Sequence, residues 1–230
     1  MKKILKIIFF LILILTSIAL LYIGNGYDMY KQAISQMSLE QKVQEIQSKE
    51  NYTKFSELPQ MYVNAIISVE DKRFYKHNGI DVIAICRAAI NDIKAMSFVE
   101  GGSTITQQLA KNMYFTQEKK IERKIAEVFM AWEIEDKYSK EEIFELYVNT
   151  IYFGDGYYTV KDACHGYFNK EVNEMTDSEC ILLAGIPNAP SAYSPTKNPD
   201  LAKQRQRQVI EKMIENGYLT QEEANKILEE

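Results

Sequence analysis

Two glutamates, Glu70 and Glu127, stand where a carboxylate could act as an acid or a base. Glu70 follows an apolar run in which Tyr62, Ile66 and Val69 recur at helical spacing, so it is expected at or just past a helix C-terminus. The helix dipole places partial negative charge there, which disfavours a purely structural carboxylate. For an isolated Glu-Asp pair, however, a solvated acidic turn is the simpler interpretation, and the residues downstream must decide.

Glu127 lies four residues after Arg123, so the two side chains share one face of an expected helix. An exposed ion pair of this kind is common and contributes only about 0.3–0.5 kcal/mol. The cations between the two glutamates include Arg87, Lys111, Lys119, Arg123 and Lys124. In a protein with a net charge of −5, this grouping indicates a substrate that carries phosphate or pyrophosphate, and the net charge argues against nucleic acid as a partner.

These residue types support one reaction class better than others. A general base needs a carboxylate whose pKa is brought near the working pH by burial or by a neighbouring carboxylate. A leaving pyrophosphate needs Lys, Arg or a divalent cation on the charge that develops. One base with cations describes glycosyl transfer from a lipid-linked pyrophosphate sugar, whereas two carboxylates without cations describe a lysozyme-like glycosidase.

A glycine-rich segment at 100–108, Glu-Gly-Gly-Ser-Thr-Ile-Thr-Gln-Gln, precedes an expected helix. Thr104 and Gln107 match a capping box, so the helix is predicted to begin here and to reach about Met113. Its N-terminal amides can receive an anion or a sugar oxygen. The same helix carries further polar and cationic side chains, Gln108, Lys111 and Asn112.

Other chemistries have weaker support. The histidines, His77 and His165, have no cysteine or serine nearby in a recognisable nucleophile context. Ser194 and Lys197 match the spacing of penicillin-interacting serine enzymes, but they lie in a proline-rich loop and no partner motif follows. No Cys/His cluster predicts a structural metal. Buried free thiols are the favoured interpretation of the three separated cysteines, Cys86, Cys164 and Cys180.

The segment Ile4–Ile23 is apolar over about 20 residues, the length of a bilayer span. Lysines precede or begin it, at Lys2, Lys3 and Lys6, and no cation follows until Lys31. This asymmetry predicts a cytoplasmic N-terminus and an extracytoplasmic remainder, in a single-pass protein of the cell membrane. A cleaved signal peptide is the alternative, but its apolar core would span only about 7–15 residues.

The rest of the chain is predicted to be mainly α-helical. Residues 1–24 form the cytoplasmic tip and signal anchor, the polar segment 25–55 is expected to be a partly helical stalk, and 56–230 form the catalytic domain. No convincing alternating strand occurs, although a short hairpin at a cleft rim is compatible with the pattern. Further capping boxes are predicted to start helices at Ser139, Thr176 and Thr220.

Five blocks of residues occur in order between about 55 and 200. They are Glu70-Asp71 with Phe74, His77 and Gly79; Gly101–Gln108 with Lys111-Asn112; Arg123-Lys124 with Glu127; Ile143, Glu145, Tyr147 and Asn149 after Lys140; and Leu183–Pro187 with Ala189-Pro190 and Pro195. In this order and spacing they resemble the peptidoglycan glycosyltransferases of glycosyltransferase family 51. Because no transpeptidase domain appears, the chain is similar to the monofunctional, membrane-anchored members.

The resemblance implies a lysozyme-like helical fold and the polymerisation of lipid II into glycan strands. By resemblance, Glu70 is the general base that deprotonates the acceptor 4-hydroxyl, and Glu127 assists the departure of pyrophosphate or holds a divalent cation, Mg²⁺ or Mn²⁺. No organic cofactor is implied. Besides lipid II, the growing strand and the membrane, the expected partners are other cell-wall synthesis proteins. The positions matched to substrate binding are Asp71, Phe74, His77, Arg87, Ser103, Thr104, Gln107, Gln108, Lys111, Asn112, Lys119, Arg123 and Lys124.

The chain departs from the family pattern in two places. Phe144 and Val148 stand at positions that are commonly Leu, which should affect packing only. Thr159 stands where many members have glycine, which leaves the local cleft conformation open. A lipid-tail groove is expected near 93–99 or 113–118. Two alternatives to the transferase remain, a lysozyme-like hydrolase of the same glycan and a non-catalytic scaffold for cell-wall proteins.

Overall fold

A computed structural model of the chain describes residues 2–95, 101–116, 118 and 120–229. In these ranges it contains α-helices and short 3₁₀ turns but no β-strand, which confirms the predicted mainly α class. The helices are α1 (Lys2–Gln36), α2 (Leu39–Gln47), α3 (Gln60–Glu70), α4 (Val82–Ala95), α5 (Ile105–Tyr114), α6 (Ile121–Lys137), α7 (Lys140–Val148), α8 (Val160–Phe168), α9 (Asp177–Gly185), α10 (Pro199–Glu215) and α11 (Gln221–Glu229).

Capping residues define where several helices begin, as the sequence predicts. Thr104, Ser139 and Thr176 each accept a hydrogen bond from the backbone three residues later, and the Gln or Glu at that position bonds back to the cap. Thr220 makes the same reciprocal pair with Glu223. Each such cap satisfies amide groups that a helix N-terminus leaves unpaired, and an N-cap is worth about 1 kcal/mol.

The hydrophobic core forms where α3 packs against α9 and α10, and where α5 packs against α6 and α7. Fully buried side chains from these helices fill it, including Tyr62, Ile66, Leu109, Phe144, Ile181 and Val209. The charge-bearing ends of α3, α5 and α6 are therefore positioned by helices that are themselves fixed by close packing. This arrangement is what holds the candidate site.

The predicted stalk requires correction. Residues 25–36 continue α1 and pack against α6, while α2 places Leu39, Val43 and Ile46 in the core. These three positions follow a helical i, i+4, i+7 spacing, so one face of the polar segment is apolar. The segment from 25 to 47 therefore belongs to the packed domain.

The first part of α1 differs from every other helix in the described ranges. Its residues Ile4–Ile23 are exposed along their whole length, and α1 is the one described helix long and apolar enough to cross a membrane. Exposed aliphatic side chains on all sides of a helix are unfavourable in water. This segment therefore matches the predicted position of the anchor.

Candidate active site

Glu70 is the last residue of α3, as its sequence position predicts. Its Oε2 accepts a hydrogen bond of 2.7 Å from the Gln108 side-chain amide on α5. Its Oε1 is buried and has no hydrogen-bond partner among the described residues. Burial raises the pKa of Glu70 above its usual range, and the Gln108 hydrogen bond and the charges of Arg205 and Lys111 only partly oppose this shift. A carboxylate with one unsatisfied buried oxygen is poised to accept a proton.

Asp71 connects the end of α3 to the start of α5. Its carboxylate is buried and accepts a hydrogen bond of 3.0 Å from the Ile105 amide and one of 2.9 Å from His77 Nε2. An acidic group at a helix N-terminus is stabilised by the unpaired amides and by the helix dipole. Asp71 and His77 thereby fix α5, and with it Gln108, against Glu70.

The turn after Glu70 is held by a glycine. Gly79 has a φ of 78°, and a Cβ there would lie 3.1 Å from the Ala131 carbonyl of α6. Its own carbonyl oxygen accepts a hydrogen bond of 2.7 Å from the Thr104 hydroxyl. The close approach and the left-handed backbone both favour glycine. Gly79 therefore brings the 71–79 turn, α5 and α6 together.

Several residues matched to substrate binding are instead enclosed by the protein. Phe74 is completely buried, in edge-to-face contact with Phe144. Thr104 and Gln107 bond to each other in the α5 cap and are 2% exposed. Together with Asp71 and His77, these side chains are buried and bonded or packed inside the fold, so their placement corrects the expectation of direct substrate contact. They support the site.

Glu127 lies on α6 and is only 1% exposed. Arg123 Nη1 donates to its Oε1, and Lys124 Nζ donates to its Oε2 at 2.8 Å. Lys124 Nζ also lies 2.6 Å from the Ser103 hydroxyl, and Arg123 Nε donates to the Glu118 carbonyl. The i, i+4 pair is therefore part of a hydrogen-bonded network around a buried carboxylate, and it is not an isolated exposed ion pair.

Lys111 links the two carboxylates electrostatically. Burial lowers the pKa of this lysine, the charges of Glu127 and Glu70 raise it, and those of Lys124 and Arg123 lower it further. Glu70, Glu127 and the three cations therefore share one region, with Lys111 acting on both ends. Lys111 is half-buried, and its ammonium forms no ion pair within 4 Å in the described chain. It is therefore suited to bind an anionic ligand.

The remaining residues matched to substrate binding are Asn112, Arg87 and Lys119. Asn112 is half-buried on α5, beside Lys111. Arg87 is half-buried on α4, whose Ile85 and Ala88 lie against the glycine-rich segment at Gly102. Lys119 lies outside the described residues, as does most of the 93–99 candidate for the lipid-tail groove.

Two further side chains act near Glu70, and sequence reasoning gave neither of them a role there. Arg205 on α10 donates from Nε to the Gly185 carbonyl at 3.3 Å, and its charge opposes the rise in the pKa of Glu70 more than that of Lys111 does. The buried Tyr147 hydroxyl lies 3.5 Å from Gln108 Oε1, which favours the amide orientation that donates to Glu70. The signal that could have pointed to Arg205 was a cation on α10 beside the helix face that carries the buried residues Ala202 and Gln206.

The fourth block of the resemblance has a structural explanation. Glu145 accepts hydrogen bonds from the Tyr52 hydroxyl and the Phe55 amide, and Asn149 bonds to the backbone at Thr53. These contacts join α7 to the segment before α3. Thr159, at the departure from glycine, has a φ of −136° and caps α8, so no glycine is needed there.

The residues around Glu127 do not fit a divalent cation as they stand. Both oxygens of its carboxylate are engaged by Arg123 and Lys124, and no group of three or more His, Cys, Asp or Glu side chains in the described ranges could hold a metal ion. Mg²⁺ and Mn²⁺ prefer several oxygen ligands. No catalytic step is therefore assigned to a metal here.

Comparison with known proteins decides the family. The model of a family described as transglycosylase matches residues 36–214. The chain belongs to the transglycosylase family. This confirms the resemblance drawn from the five blocks, together with the lysozyme-like helical class. The match begins at residue 36, which agrees with the placement of α2 in the packed domain.

Relatives of this transglycosylase are longer proteins. It is 49% identical over 169 residues to penicillin-binding protein 1F of Bacillus subtilis (strain 168), covering 74% of this chain and 24% of the relative. It is 44% identical over 184 residues to penicillin-binding protein 1A of Neisseria gonorrhoeae, covering 80% and 23%. A crystal structure of penicillin-binding protein 1A from Haemophilus influenzae aligns with 55% of this chain and 15% of its own, at 31% identity and a TM-score of 0.39. The chain thus spans about a quarter of the length of the curated relatives it matches.

Proposed function

We propose that this transglycosylase is a peptidoglycan glycosyltransferase that polymerises lipid II into glycan strands. One observation carries the proposal: two glutamates in different electrostatic surroundings, Glu70 and Glu127, both act on the charge of Lys111. Glu70 is poorly satisfied and prone to accept a proton, whereas Glu127 is bonded to two cations. A base at one end and cations at the other match attack by a hydroxyl and departure of a pyrophosphate.

Glu70 serves as the general base. Its free Oε1 takes the proton of the acceptor's 4-hydroxyl, and the oxygen attacks the anomeric carbon of the donor's N-acetylmuramic acid. The bond from that carbon to the pyrophosphate oxygen breaks on the opposite face, so the configuration inverts and undecaprenyl pyrophosphate leaves with the electron pair. The raised pKa of Glu70 suits this role, because a base is most effective when its pKa lies near the working pH.

The cations stabilise the departing group. Lys111 interacts electrostatically with both carboxylates, and Lys124 is the more exposed of the two cations on Glu127. Arg123 is anchored at both Glu118 and Glu127, so it is suited to holding the network in place. Removing one preorganised charge-stabilising group from a transition state typically costs about 10²–10³ in rate.

The membrane part of the proposal rests on α1. Its exposed apolar segment spans the cytoplasmic membrane, with Lys2, Lys3 and Lys6 on the cytoplasmic side and the helical domain outside. This orientation places the site on the side where the lipid-linked donor is used. A donor embedded in the same bilayer explains why a catalytic domain would be tethered to it.

The alternative functions have less support. A lysozyme-like hydrolase needs two carboxylates and water, but has no need of three cations beside the second carboxylate. A non-catalytic scaffold has no need of a buried, unsatisfied Glu70 oxygen, which destabilises the fold.

Incubation of the purified full chain with lipid II, with and without a chelator, tests the proposal. We expect glycan polymer and free undecaprenyl pyrophosphate in both conditions, because both oxygens of Glu127 are engaged by Arg123 and Lys124. Activity that is lost only when the chelator is added would restore a role for a divalent cation. Cleavage of finished strands without any polymerisation would identify the hydrolase. Absence of both polymerisation and cleavage would identify the scaffold.

A further inference from the structure

The second half of α1 approaches α6 most closely at a glycine. A Cβ on Gly26 would lie 2.5 Å from Ile125 Cγ2 and 2.9 Å from the Glu122 carbonyl oxygen. A Cβ on Gly24, two residues earlier on α1, would meet no described atom within 4 Å. Because one of the close atoms at Gly26 is backbone, even a methyl group would force the two helices apart. Gly26 thus sets the separation of α1 from α6.

Contacts beyond Gly26 extend this α1–α6 interface. The Tyr27 and Phe129 rings meet edge to face, with their centroids 5.2 Å apart. The Tyr30 hydroxyl donates to Glu133 Oε2 at 2.6 Å. The contacts advance along both helices together, so α1 and α6 run in the same direction, and the beginning of α6 lies nearer the membrane-length segment.

The α1–α6 interface places the network of Arg123, Lys124 and Glu127 at a defined depth relative to the membrane. At 1.5 Å per residue, Gly26 lies about 5 Å and Tyr30 about 10 Å beyond Ile23, where the apolar run ends. On α6, the residues Arg123, Lys124 and Glu127 lie between the partners of Gly26 and Tyr30. The headgroup layer on each side of a bilayer is about 5–7 Å thick. The network therefore lies at or just outside the level of lipid phosphates.

We propose that the α1–α6 interface is a depth-setting element, in which Gly26 and Tyr30 are positioning residues that hold the Glu127 network at the phosphate level of the bilayer. This inference rests on the proposed function and narrows it. The preferred donor is a pyrophosphate whose long lipid chain is inserted in the same membrane. A pyrophosphate sugar with a short, water-soluble chain does not depend on this depth, because it diffuses to the site from solution.

The matched variants Gly26→Ala and Gly24→Ala test the proposal in the full chain. Both add one methyl group to the same helix, but only Gly26→Ala meets α6. We expect Gly26→Ala to slow polymerisation of a long-chain donor in lipid nanodiscs by about fivefold or more, the range of an overpacked contact. Its rate on a short-chain donor in detergent should match wild type, and Gly24→Ala should match wild type on both donors.

Two outcomes of this comparison would overturn the inference. Equal losses on both donors would show that Gly26→Ala deforms α6 itself, and no loss on either donor would show that depth is not set here. If the wild-type chain polymerised neither donor, the proposed function would be refuted instead. Fluorescence quenching would still decide whether the α1–α6 interface sets the depth of α6 in the membrane.

Tryptophan fluorescence measures the depth without catalysis. The chain has a single tryptophan, Trp132, which is about half exposed on α6, and Ile121 is exposed at the first residue of that helix. The native chain and the variant Trp132→Phe/Ile121→Trp therefore report two levels, about 16 Å apart along the helix. Lipids brominated in the acyl chain should quench the reporter at position 121 more strongly. Adding Gly26→Ala should weaken that quenching, and adding Gly24→Ala should not. Equal quenching at both levels, or stronger quenching at Trp132, would overturn the inference.

Discussion

Glu70 and Glu127 are chemically identical side chains that both act on the charge of Lys111, and the protein treats them differently. Glu70 receives one hydrogen bond from a neutral amide and has one buried oxygen without a partner in the described chain. Glu127 has both oxygens bonded to cations. The first environment disfavours the charged carboxylate, while the second compensates it. The difference shows how a helical fold obtains a base and an anion-binding cluster from the same residue type.

The difference arises from where each glutamate lies on its helix. Glu70 is at the C-terminus of α3, where the helix dipole adds negative potential and no basic side chain lies within one turn on that helix. Glu127 is in the middle of α6, so Arg123 and Lys124 reach it from the preceding turn.

Replacing the base should have the largest effect. Glu70→Gln keeps the size of the side chain and removes its ability to take a proton. We expect the initial rate of lipid II polymerisation to fall by about 10³-fold, within the 10²–10⁴ range of general base catalysis. The unfolding transition of the purified variant serves as the control for folding. A variant rate within threefold of wild type would remove Glu70 from the mechanism.

Neutralising the other glutamate should have the next largest effect. Glu127→Gln leaves Arg123 and Lys124 without their anionic partner, so both side chains rearrange and the donor phosphates are bound incorrectly. We expect the polymerisation rate to fall by about 10²-fold, comparable with the loss of one charge-stabilising group. The conservative variant Glu127→Asp should retain more activity than Glu127→Gln. If Glu127→Gln polymerised lipid II at a near-normal rate, the network would be a structural ion pair only.

Removing the hydrogen bond to Glu70 should change the pH dependence. Gln108→Met keeps the side-chain length but donates nothing to Glu70, so the pKa of Glu70 should rise further. The acidic limb of the polymerisation rate against pH should move to higher pH, with a smaller loss of maximal rate than for either glutamate variant. Tyr114→Phe, on the same helix and outside the site, is the control. An unmoved acidic limb would show that Gln108 does not tune the base.

The smallest effect concerns stability. Burial raises the folded-state pKa of Glu70 above its ordinary value of 4.5, so the folded state disfavours the ionised form. The wild-type chain should therefore lose stability as the pH rises from 4.5 through the raised folded pKa. Glu70→Gln does not titrate, so its Tm should exceed that of wild type at pH 7.5.

Below pH 4.5 the two Tm values should approach each other, because Glu70 is then protonated in both the folded and unfolded states. Tm values measured across this range for the purified full chain check the expectation. A variant less stable than wild type at pH 7.5 would show that the Glu70 carboxylate is satisfied in the fold, contrary to its described environment.

Local signals in the sequence predicted much of this structure. The Thr104, Ser139, Thr176 and Thr220 caps and the position of Glu70 at a helix end are all confirmed, since each depends on residues three or four apart. The pairing of Glu127 with Arg123 follows from helical spacing in the same way. Periodicity alone, however, favoured an exposed ion pair for Glu127.

Other placements depend on tertiary packing and could not be predicted from the sequence. Phe74 and His77 were matched to substrate binding, but they are buried because the 71–79 turn folds inward against α5 and α7. Arg205 is far from Glu70 in the chain, and its charge acts on Glu70 only because α10 packs against α3. The i, i+4, i+7 spacing of Leu39, Val43 and Ile46 was available in the sequence and would have assigned α2 to the domain.

Infrared titration of the full chain tests the contrast between the two glutamates most directly. We predict a protonated carboxyl band that titrates above pH 4.5, is absent from Glu70→Gln and persists in Glu127→Gln. This pattern would show that Glu70 is the group held ready to take a proton. A band that persisted in Glu70→Gln, or disappeared in Glu127→Gln, would contradict the assignment of the base.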